Sequence, residues 1–296
     1  MVPCTDTAGI KSSAVMTAKV HTNRLLEKTL SELREYFLNL ERPVPDGILE
    51  ALGNDPRSGA RKLAQSIRLR RLKNRKEGQR LRNLLRFESD LYERGFQNIA
   101  GVDEAGMAPL AGPVVAAAVI LPRSYKLPDL NDSKKISNKR KREELALQIK
   151  RDAVCWSIGS AEVEEIDRIN IYRAGLLAMR RAVEALAATP DYLLIDARTI
   201  PQYRCPQKGI IHGDALSASI AAASIIAKTT RDHLMIEMDR MYTGYGFASH
   251  KGYPTPAHLR VLKERGPIHI HRKSFAPVRD ALDSGPVQGV LFNNRS

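Results

Sequence analysis

The sequence predicts a layered α/β domain that follows a helical extension, and two observations support this prediction. After Gly95, short apolar runs rich in β-branched residues alternate with segments whose apolar residues recur at helical spacing. Before Gly95, only the helical spacing is found, and the segment is strongly basic. Alternation of strands and helices is typical of a domain in which helices cover a mixed sheet.

The N-terminal part of the chain divides into a tail and a helical region. Residues 1–22 are small and polar, so we expect a disordered tail. Residues 23–95 form the predicted extension. Within it, one helix is expected from Asn23 to Leu40 and a second after Asp46, because prolines separate two segments of helical spacing.

A long basic helix is predicted between Pro56 and Arg94. This stretch contains 13 basic and 4 acidic residues, a net charge of 13 − 4 = +9. One interpretation is an arm that holds a nucleic-acid backbone, because lysine and arginine displace the counterions condensed on phosphates. The other is a solvated helix that packs on the rest of the protein and is basic only on its outer face. The sequence does not distinguish the two.

The composition of the whole chain favours a polyanionic partner. The 296 residues carry 47 basic and 33 acidic side chains, a formal net charge of +14. The 3 cysteines are too few and too scattered for a disulfide framework or a zinc site. They are typical of a reducing, cytoplasmic environment. No apolar run approaches the roughly 18 residues that a membrane-spanning helix needs, so no membrane partner is expected.

The predicted α/β domain covers residues 96–280, followed by a flexible tail over 281–296. Apolar runs predict strands, and helical spacing predicts helices between them. The strands are expected at Asn98–Asp103, Val114–Leu121 and Tyr192–Ile195, and the helices at Lys139–Ala153, Ile171–Ala187 and Ala215–Met241.

Four acids lie at the ends of these predicted elements. Asp103 and Glu104 end one strand, Asp196 ends another, and Asp214 comes just before a long alanine-rich helix. Acids at the carboxyl ends of strands project into the crevice where open α/β sheets bind ligands. An oxygen-only set of ligands favours Mg²⁺ or Mn²⁺ over zinc. Position alone is weak support, because such acids are more often turn or helix-cap residues.

The residues around these acids are more specific, and from Phe96 to Val278 they resemble bacterial ribonuclease HII. The matching sequence motifs occur in the order typical of that family. They are Gly101-Val-Asp-Glu-Ala-Gly, Pro109-Leu-Ala-Gly-Pro-Val-Val, Asp132-Ser-Lys-Lys-Ile, Gly213-Asp-Ala, Ala221-Ala-Ala-Ser-Ile-Ile-Ala-Lys, Arg231-Asp, His250-Lys-Gly-Tyr and Arg272-Lys-Ser-Phe. The basic N-terminal region also resembles the helical extension of some bacterial members.

The resemblance implies a ribonuclease H-like fold with a central mixed sheet of five strands flanked by helices. It implies hydrolysis of the RNA strand of RNA–DNA hybrids, leaving a 3′-hydroxyl and a 5′-phosphate, and a role in removing ribonucleotides misincorporated in DNA. The metal-binding acids carry over to Asp103, Glu104, Asp196 and Asp214, which would hold two Mg²⁺ or Mn²⁺ ions during catalysis. We expect a monomer.

The resemblance also implies substrate contacts. Tyr253 matches the tyrosine that stacks on the deoxyribose at an RNA–DNA junction, where an extra hydroxyl is disfavoured. Lys134 and Lys135 lie in the substrate-side segment of the family, and at least one is expected to contact a backbone phosphate. The alternatives are an aromatic residue covering the edge of the core and a solvated pair of charges.

The chain departs from the family at the turn after Glu104. The usual Gly-Arg-Gly is Gly106-Met107-Ala108 here. Met107 lacks the cationic fork that could hold a phosphate, and Ala108 adds a methyl group where close approach or a positive φ could be required. We therefore expect a working metal centre with altered recognition, especially of a single embedded ribonucleotide. Two alternatives remain: a hybrid-binding protein without activity, and a Mg²⁺-dependent nuclease that does not sense 2′-hydroxyls.

Other polar residues in or near these motifs are expected to be structural. Asp232 is predicted to pair with a nearby cation inside a helix. His212, His250, His269 and His271 share no supported metal-ligand spacing, so we expect them to face the backbone or the solvent. A covalent mechanism has no support, because no serine or cysteine has a convincing base partner.

Overall fold

The structure, a computed structural model, describes Leu25, residues 27–131, 133, 136 and 138–284. The chain divides into two compact units, Met1–Arg80 and Leu81–Ser296. The domain limits expected from the sequence, 23–95 and 96–280, remain predictions, and the predicted tail over 1–22 lies outside the described residues. No helix in the described part of the chain is long and apolar enough to cross a membrane.

The first unit is helical, as predicted. Helix α1 (Leu30–Arg34) opens with a capping box between Thr29 and Glu32 and continues into a π-helical turn, Glu35–Asn39. Helix α2 (Ile48–Asn54) follows the proline-containing break, and helix α3 (Ser58–Leu84) begins soon after it. Apolar side chains spaced along these helices form the core of the unit, with Leu33, Phe37, Ile48, Leu52 and Ile67 fully buried.

The basic stretch forms α3 and the shorter α4 (Arg86–Glu93), with a break at Leu85. Residues 71–76 of α3 are all exposed, and Arg71, Lys73, Arg75 and Lys76 are among them. From Leu81 onward the apolar stripe belongs to the second unit. Leu84 and Leu91 are buried in its hydrophobic clusters.

The second unit contains a mixed sheet of five strands, which confirms the expected fold class. The strands are β1 (Ile99–Ala105), β2 (Val114–Ile120), β3 (Cys155–Ala161), β4 (Tyr192–Asp196) and β5 (Gln207–Ile210). Their order is β3-β2-β1-β4-β5. Strands β1, β2 and β3 pair antiparallel, whereas β4 runs parallel to β1 and β5 runs parallel to β4. Strand β1 is therefore central, with β4 beside it in the same direction.

Helices cover both faces of this sheet, and small side chains allow close packing. One face packs against α7 (Ile171–Glu184), which follows the short α6 (Val163–Ile169). The other face packs against α5 (Lys139–Asp152) and α9 (Ala218–Met241), and the short α8 (Gly213–Leu216) precedes α9. The remaining helices are α10 (Phe247–His250), α11 (Pro256–Arg265) and α12 (Ala276–Ser284).

Two strands and one helix start differ from the sequence pattern. Strand β3 lacks large apolar residues on its inner face, because α7 lies so close that a Cβ added at Gly159 would be 2.3 Å from the Ala178 carbonyl oxygen. Strand β5 is short, polar and at the edge of the sheet. The predicted helix from Ala215 begins instead at Ala218, because Ser217 is extended and its hydroxyl accepts a bond from the Ile220 N–H.

Candidate active site

The pairing of β1 with β4 brings the predicted acids to one edge of the sheet. Val102 lies opposite Ile195 in the parallel register, so the next residues, Asp103 and Asp196, come to the same carboxyl end. Asp103 is 5% exposed, and Glu104 follows it on β1. This arrangement is the crevice position that parallel strands give to their C-terminal side chains.

Each of these acids has a protein partner. Asp103 Oδ1 accepts a bond of 2.7 Å from the Glu104 N–H, and the nearby Ser224 hydroxyl on α9 partly offsets the rise in the pKa of Asp103. Glu104 forms an ion pair with Arg198, with 3.2 Å between Oε1 and the guanidinium. Asp196 Oδ1 accepts a bond of 2.7 Å from the Gly213 N–H. This last bond attaches the loop that carries the fourth acid to the end of β4.

Asp214, the fourth acid, is 5% exposed and lies in the first turn of α8. His212, just before α8, has a left-handed backbone with a φ of +57°. Gly213 between them is held against the end of β4, because a Cβ at this position would be 3.3 Å from Asp196 Oδ1. Asp214 therefore follows directly on a residue that contacts Asp196.

The electrostatics of this edge favour a cation. Burial raises the pKa of Asp103 well above its ordinary value, and the negative charges of Glu104 and Asp196 raise it further. Among the described residues, no group of three or more His, Cys, Asp or Glu side chains is arranged as a ready metal site. Asp103, Glu104 and Asp196 nevertheless lie close enough for their charges to interact. Their donor set consists of carboxylate oxygens, which fits a hard divalent ion.

Two buried arginines hold the turn that follows Glu104. Arg272 donates to the carbonyl oxygens of Gly106 at 2.7 Å, Met107 at 3.2 Å and Gly112 at 2.8 Å. Arg231 donates to the carbonyl oxygens of Ala111 and Pro113, both at 3.0 Å. Burial lowers the pKa of Arg231 to about 10 and that of Arg272 to about 9, so both stay charged at neutral pH. Charged donors on buried carbonyls fix the path of this turn.

The three residues of the turn, Gly106, Met107 and Ala108, differ in backbone conformation and in the space available for a side chain. Gly106 has a φ of +99°, and a Cβ there would be 2.1 Å from Arg231 Nε, so only glycine fits. Ala108 is exposed and is absent from the positive-φ positions, so its methyl group leaves the backbone unstrained. Met107 packs against the core near Gly175 of α7. A Cβ added at Gly175 would lie 3.0 Å from Met107 Sδ and 3.2 Å from the Arg198 guanidinium, so these two side chains meet at the same point. Arg198 thus brings a cation beside the position where the family has arginine.

Tyr253 lies beside a buried network of charges. Tyr253 is 38% exposed, and Lys228 Nζ is 5.7 Å from the centre of its ring. Asp232 accepts a bond of 2.6 Å from Lys228 Nζ and one of 3.3 Å from Arg142. Asp232 is therefore a structural partner for cations, as predicted. Lys134 and Lys135 lie outside the described residues.

Histidines form a chain behind Tyr253. The Tyr253 carbonyl accepts a bond of 3.0 Å from His258 Nδ1, and His258 Nε2 lies 3.1 Å from His271 Nε2. The Ile268 N–H donates to His271 Nδ1 at 3.0 Å. His250 stacks on His258 and bonds to the Tyr245 carbonyl. His250 and His271 thus bond to the backbone as expected, while no sequence pattern singles out His258.

Sequence reasoning missed the basic side chains that support the site. Arg231 and Arg272 occur in the matching motifs. A buried arginine that bonds to carbonyls distant in sequence, however, leaves no local pattern that would reveal its role. Arg198 lies outside those motifs. A usable signal was its position two residues after Asp196, at the same strand end.

Comparison with known proteins identifies both parts of the chain. The protein-family model for Ribonuclease HII matches residues 100–278. The model for the Ribonuclease HII N-terminal domain matches residues 29–92. The second match ends close to the C-terminus of α4, so it includes residues that pack in the second structural unit.

Similar proteins agree with these matches. The chain is 66% identical to Ribonuclease HII of Myxococcus xanthus (strain DK1622) over 259 residues, which are 88% of each protein. It is 58% identical to Ribonuclease HII of Anaeromyxobacter sp. (strain Fw109-5) over 268 residues, covering 90% of this chain and 85% of that protein.

A solved structure shares the fold. The crystal structure of ribonuclease H2 from Pyrococcus horikoshii OT3 superposes with a TM-score of 0.51 at 22% identity, covering 64% of this chain and 98% of that one. Enzymes of the ribonuclease H family use divalent metal ions. With its mixed five-stranded sheet, two family matches and high identity to curated relatives, the chain belongs to the ribonuclease HII family, the type 2 ribonucleases H, which are endonucleases that act on RNA–DNA hybrids.

Proposed function

We propose that this chain hydrolyses the RNA strand of RNA–DNA hybrids at the β1–β4 edge and leaves a 3′-hydroxyl and a 5′-phosphate. The observation that carries the proposal is the convergence of Asp103, Glu104 and Asp196. Burial raises the pKa of Asp103, and the charges of Glu104 and Asp196 raise it further. Such a cluster is stabilised by cations. It fits a substrate whose phosphodiester must be neutralised before water can attack it.

Asp103, Glu104, Asp196 and Asp214 would hold Mg²⁺ or Mn²⁺. The chemistry that a pair of such ions supplies when bound is activation of water and stabilisation of the leaving oxygen. The Glu104 N–H orients the Asp103 side chain, and the Ser224 hydroxyl of α9 lies near it. Arg198 offsets the charge of Glu104 and holds it at the edge of the site. The Gly213 N–H orients Asp196.

The turn at Gly106, Met107 and Ala108 is proposed to contact the sugar edge of the RNA strand. Arg272 binds the Gly106 and Met107 carbonyls and Arg231 crowds the Gly106 Cα, so the backbone keeps its shape although the side chains differ from Gly-Arg-Gly. Backbone groups can then still read 2′-hydroxyls. Without an arginine at Met107, phosphate binding is weaker, and we expect slower cleavage at a single embedded ribonucleotide.

Tyr253 is proposed to stack on the deoxyribose at an RNA–DNA junction. Its partly exposed ring, the nearby Lys228 and the buttressed carbonyl provide a fixed flat surface beside a cation. Lys134 and Lys135 are proposed as phosphate contacts on the ground of their motif alone. Removal of ribonucleotides misincorporated in DNA would require this junction recognition.

The exposed basic segment 71–76 of α3 is proposed to contribute backbone contacts to the duplex. Four of its six residues are cationic and none is acidic. Phosphate contacts of this type add affinity without sequence preference. We propose that the protein acts on its substrate as a monomer, since all four acids of the candidate site belong to one compact unit, Leu81–Ser296.

Cleavage of a hybrid whose RNA strand is labelled at its 5′ end tests the proposal. We expect Mg²⁺- or Mn²⁺-dependent products with 3′-hydroxyl ends, none in EDTA, and none with Asp103→Asn. An all-DNA duplex of the same sequence is the control and should stay intact. Cleavage of that duplex would instead identify a nuclease that does not sense 2′-hydroxyls. Tight binding of the hybrid without cleavage would identify a hybrid-binding protein.

A further inference from the structure

We propose that Glu88, a residue of α4, is a positioning residue for the acids proposed to bind metal ions. Its carboxylate caps the start of α9, the helix that follows Asp214 and carries Ser224. The proposal rests on the proposed function of those acids. It means that a residue outside the α/β domain predicted from the sequence helps to position them.

The hydrogen bonds of Glu88 distinguish it from the other two acids of α4, Asp90 and Glu93, which are exposed. Its side chain is only 2% exposed. One carboxylate oxygen, Oε1, accepts three bonds: 2.6 Å from the Ser217 hydroxyl, 2.9 Å from the Ser219 N–H and 2.8 Å from the Ser219 hydroxyl. The other oxygen, Oε2, is buried without a hydrogen-bond partner among the described residues.

Burial of a carboxylate is costly unless strong interactions offset it. Here the three bonds to Glu88 Oε1 all come from the first turn of α9 and the residue that caps it. Bonds to an ionised acceptor are about twice as strong as neutral ones, and the N-terminal end of a helix of 24 residues attracts a negative charge. The burial of Glu88 is therefore explained by its role in stabilising the first turn of α9.

The first turn of α9 is coupled to the acids from two sides. On one side, the Ser217 N–H donates to the Gly213 carbonyl at 2.8 Å, and the Gly213 N–H donates to Asp196. Asp214 lies between Gly213 and Ser217. A shift of Ser217 therefore moves Asp214 and disturbs the bond that orients Asp196.

On the other side, α9 rests on β1. A Cβ added at Gly101 would lie 2.0 Å from the Ser219 carbonyl carbon, so the helix start touches the strand two residues before Asp103. Further along α9, the Ser224 hydroxyl lies near the Asp103 carboxylate. Interiors packed this closely transmit small displacements. Fixing Ser217 and Ser219 therefore fixes the register between α9 and Asp103.

The position of α4 supports this role. Its residue Leu91 packs in a cluster with Ile99 of β1, Leu194 of β4 and Ile220 of α9. The helix is thus anchored on the elements that carry the acids and can hold the Glu88 carboxylate in place. The residues matched by the N-terminal domain model end in a helix that completes the catalytic unit.

The test compares full-length Glu88→Ala and Glu88→Gln with Glu93→Ala, an exposed acid on the same helix. Mn²⁺ binding is measured by electron paramagnetic resonance, and kcat and KM are measured on an RNA–DNA hybrid. Residues that orient metal ligands typically change metal affinity or activity by about 10- to 100-fold. We expect Glu88→Ala to weaken Mn²⁺ binding and lower kcat by about tenfold each, with KM within about twofold of the wild type.

Glu88→Gln should fall between the wild type and alanine, because its amide oxygen still accepts bonds but the charge is lost. If Glu88→Ala lowers thermal stability yet matches Glu93→Ala in Mn²⁺ binding and kcat, Glu88 is only structural and the proposal is overturned. Should the alanine variant not fold, the same criteria apply to Glu88→Gln. A wild-type protein that binds Mn²⁺ but cuts no hybrid contradicts the proposed function, while the Mn²⁺ comparison still decides the role of Glu88.

Discussion

His258 Nε2 lies 3.1 Å from His271 Nε2, and their other bonds favour one arrangement of the protons on the two rings. The Tyr253 carbonyl can only accept, so His258 Nδ1 donates to it and His258 Nε2 is an acceptor. His271 Nε2 then donates to His258 Nε2, and His271 Nδ1 accepts from the Ile268 N–H at 3.0 Å, which is shorter than its 3.2 Å contact with the Ile268 carbonyl oxygen. Two neutral imidazoles thus form a directional chain that ends at the residue proposed to stack on the sugar.

This chain predicts a loss of stability on acidification. Burial, and then the charge of His258, lower the pKa of His271 from 6.5 to about 4. The folded protein binds its proton less readily than the unfolded chain. The stabilisation is therefore present above pH 6.5 and is lost as the pH falls towards 4. The effect amounts to at most roughly 3 kcal/mol.

Urea unfolding between pH 4.5 and 7.5 measures this dependence. His271→Asn should flatten the decrease of the unfolding free energy with falling pH. The matched control is His233→Asn, since His233 is exposed on α9 and should leave the slope as it is in the wild type. Equal slopes for the two variants would show that His271 titrates normally in the folded protein.

Asp103→Asn is expected to remove activity without harming the fold. The amide cannot supply the charge that a divalent ion requires, so we expect a fall in hybrid cleavage of about 1000-fold, or roughly 4 kcal/mol of transition-state stabilisation. The melting temperature should not fall, because Asp103 is buried next to the charges of Glu104 and Asp196. Asp90→Asn, at an exposed acid of α4, is the control. Substantial Mg²⁺-dependent activity of Asp103→Asn contradicts the assignment.

Restoring the family turn should improve recognition of a single ribonucleotide. The double change Met107→Arg and Ala108→Gly supplies a cationic fork at a backbone that Arg272 already holds. We expect about tenfold faster cleavage at one embedded ribonucleotide, the effect of roughly 1.4 kcal/mol. Met107→Leu with Ala108→Gly separates the charge from the change in backbone. The hypothesis fails if the double reversion alters neither affinity nor rate.

The basic segment of α3 should set part of the salt dependence of binding. Replacing Lys73, Arg75 and Lys76 by glutamine is expected to weaken hybrid binding and to reduce the slope of log affinity against log salt by up to about 0.9 for each phosphate that is no longer neutralised. The control removes three arginines that are ion-paired with acids, Arg140, Arg151 and Arg240. A salt slope equal to that of the control would support a packing role.

Deletion of residues 1–94 tests the same idea less cleanly, although it should also weaken hybrid binding and flatten the salt dependence. It removes Leu84 and Leu91, which are buried in the second unit, together with Glu88. A loss of activity in that variant would then have two causes.

Features with local sequence patterns were predictable. The apolar run of β2 predicted a buried strand, and the positions of Asp103 and Asp196 at the ends of predicted strands indicated two acids that the parallel pairing of β1 and β4 brings to one edge. Strand β3 was not predictable from periodicity, because its close approach to α7 selects small residues such as Gly159 on its inner face.

Bonds between residues distant in sequence were not predictable. Glu88 bonds to Ser217 across 129 positions, and within its own helix it resembles one more charge on a solvated face. Arg272 reaches the Gly106 carbonyl across 166 positions. Since one side chain and a backbone carbonyl make no recurring spacing, only the folded chain reveals such bonds.

Cleavage of two duplexes with Mg²⁺, one with an all-RNA strand opposite DNA and one with a single embedded ribonucleotide, tests the central claim most directly. We expect cutting of the all-RNA strand, dependent on Asp103, with slower cutting at the single ribonucleotide because Met107 replaces arginine. Equal cutting of both duplexes would mean that the turn at Met107 and Ala108 still reads the junction fully. Cutting of neither duplex, with the hybrid still bound, would contradict the claim that this site is a hybrid-specific nuclease.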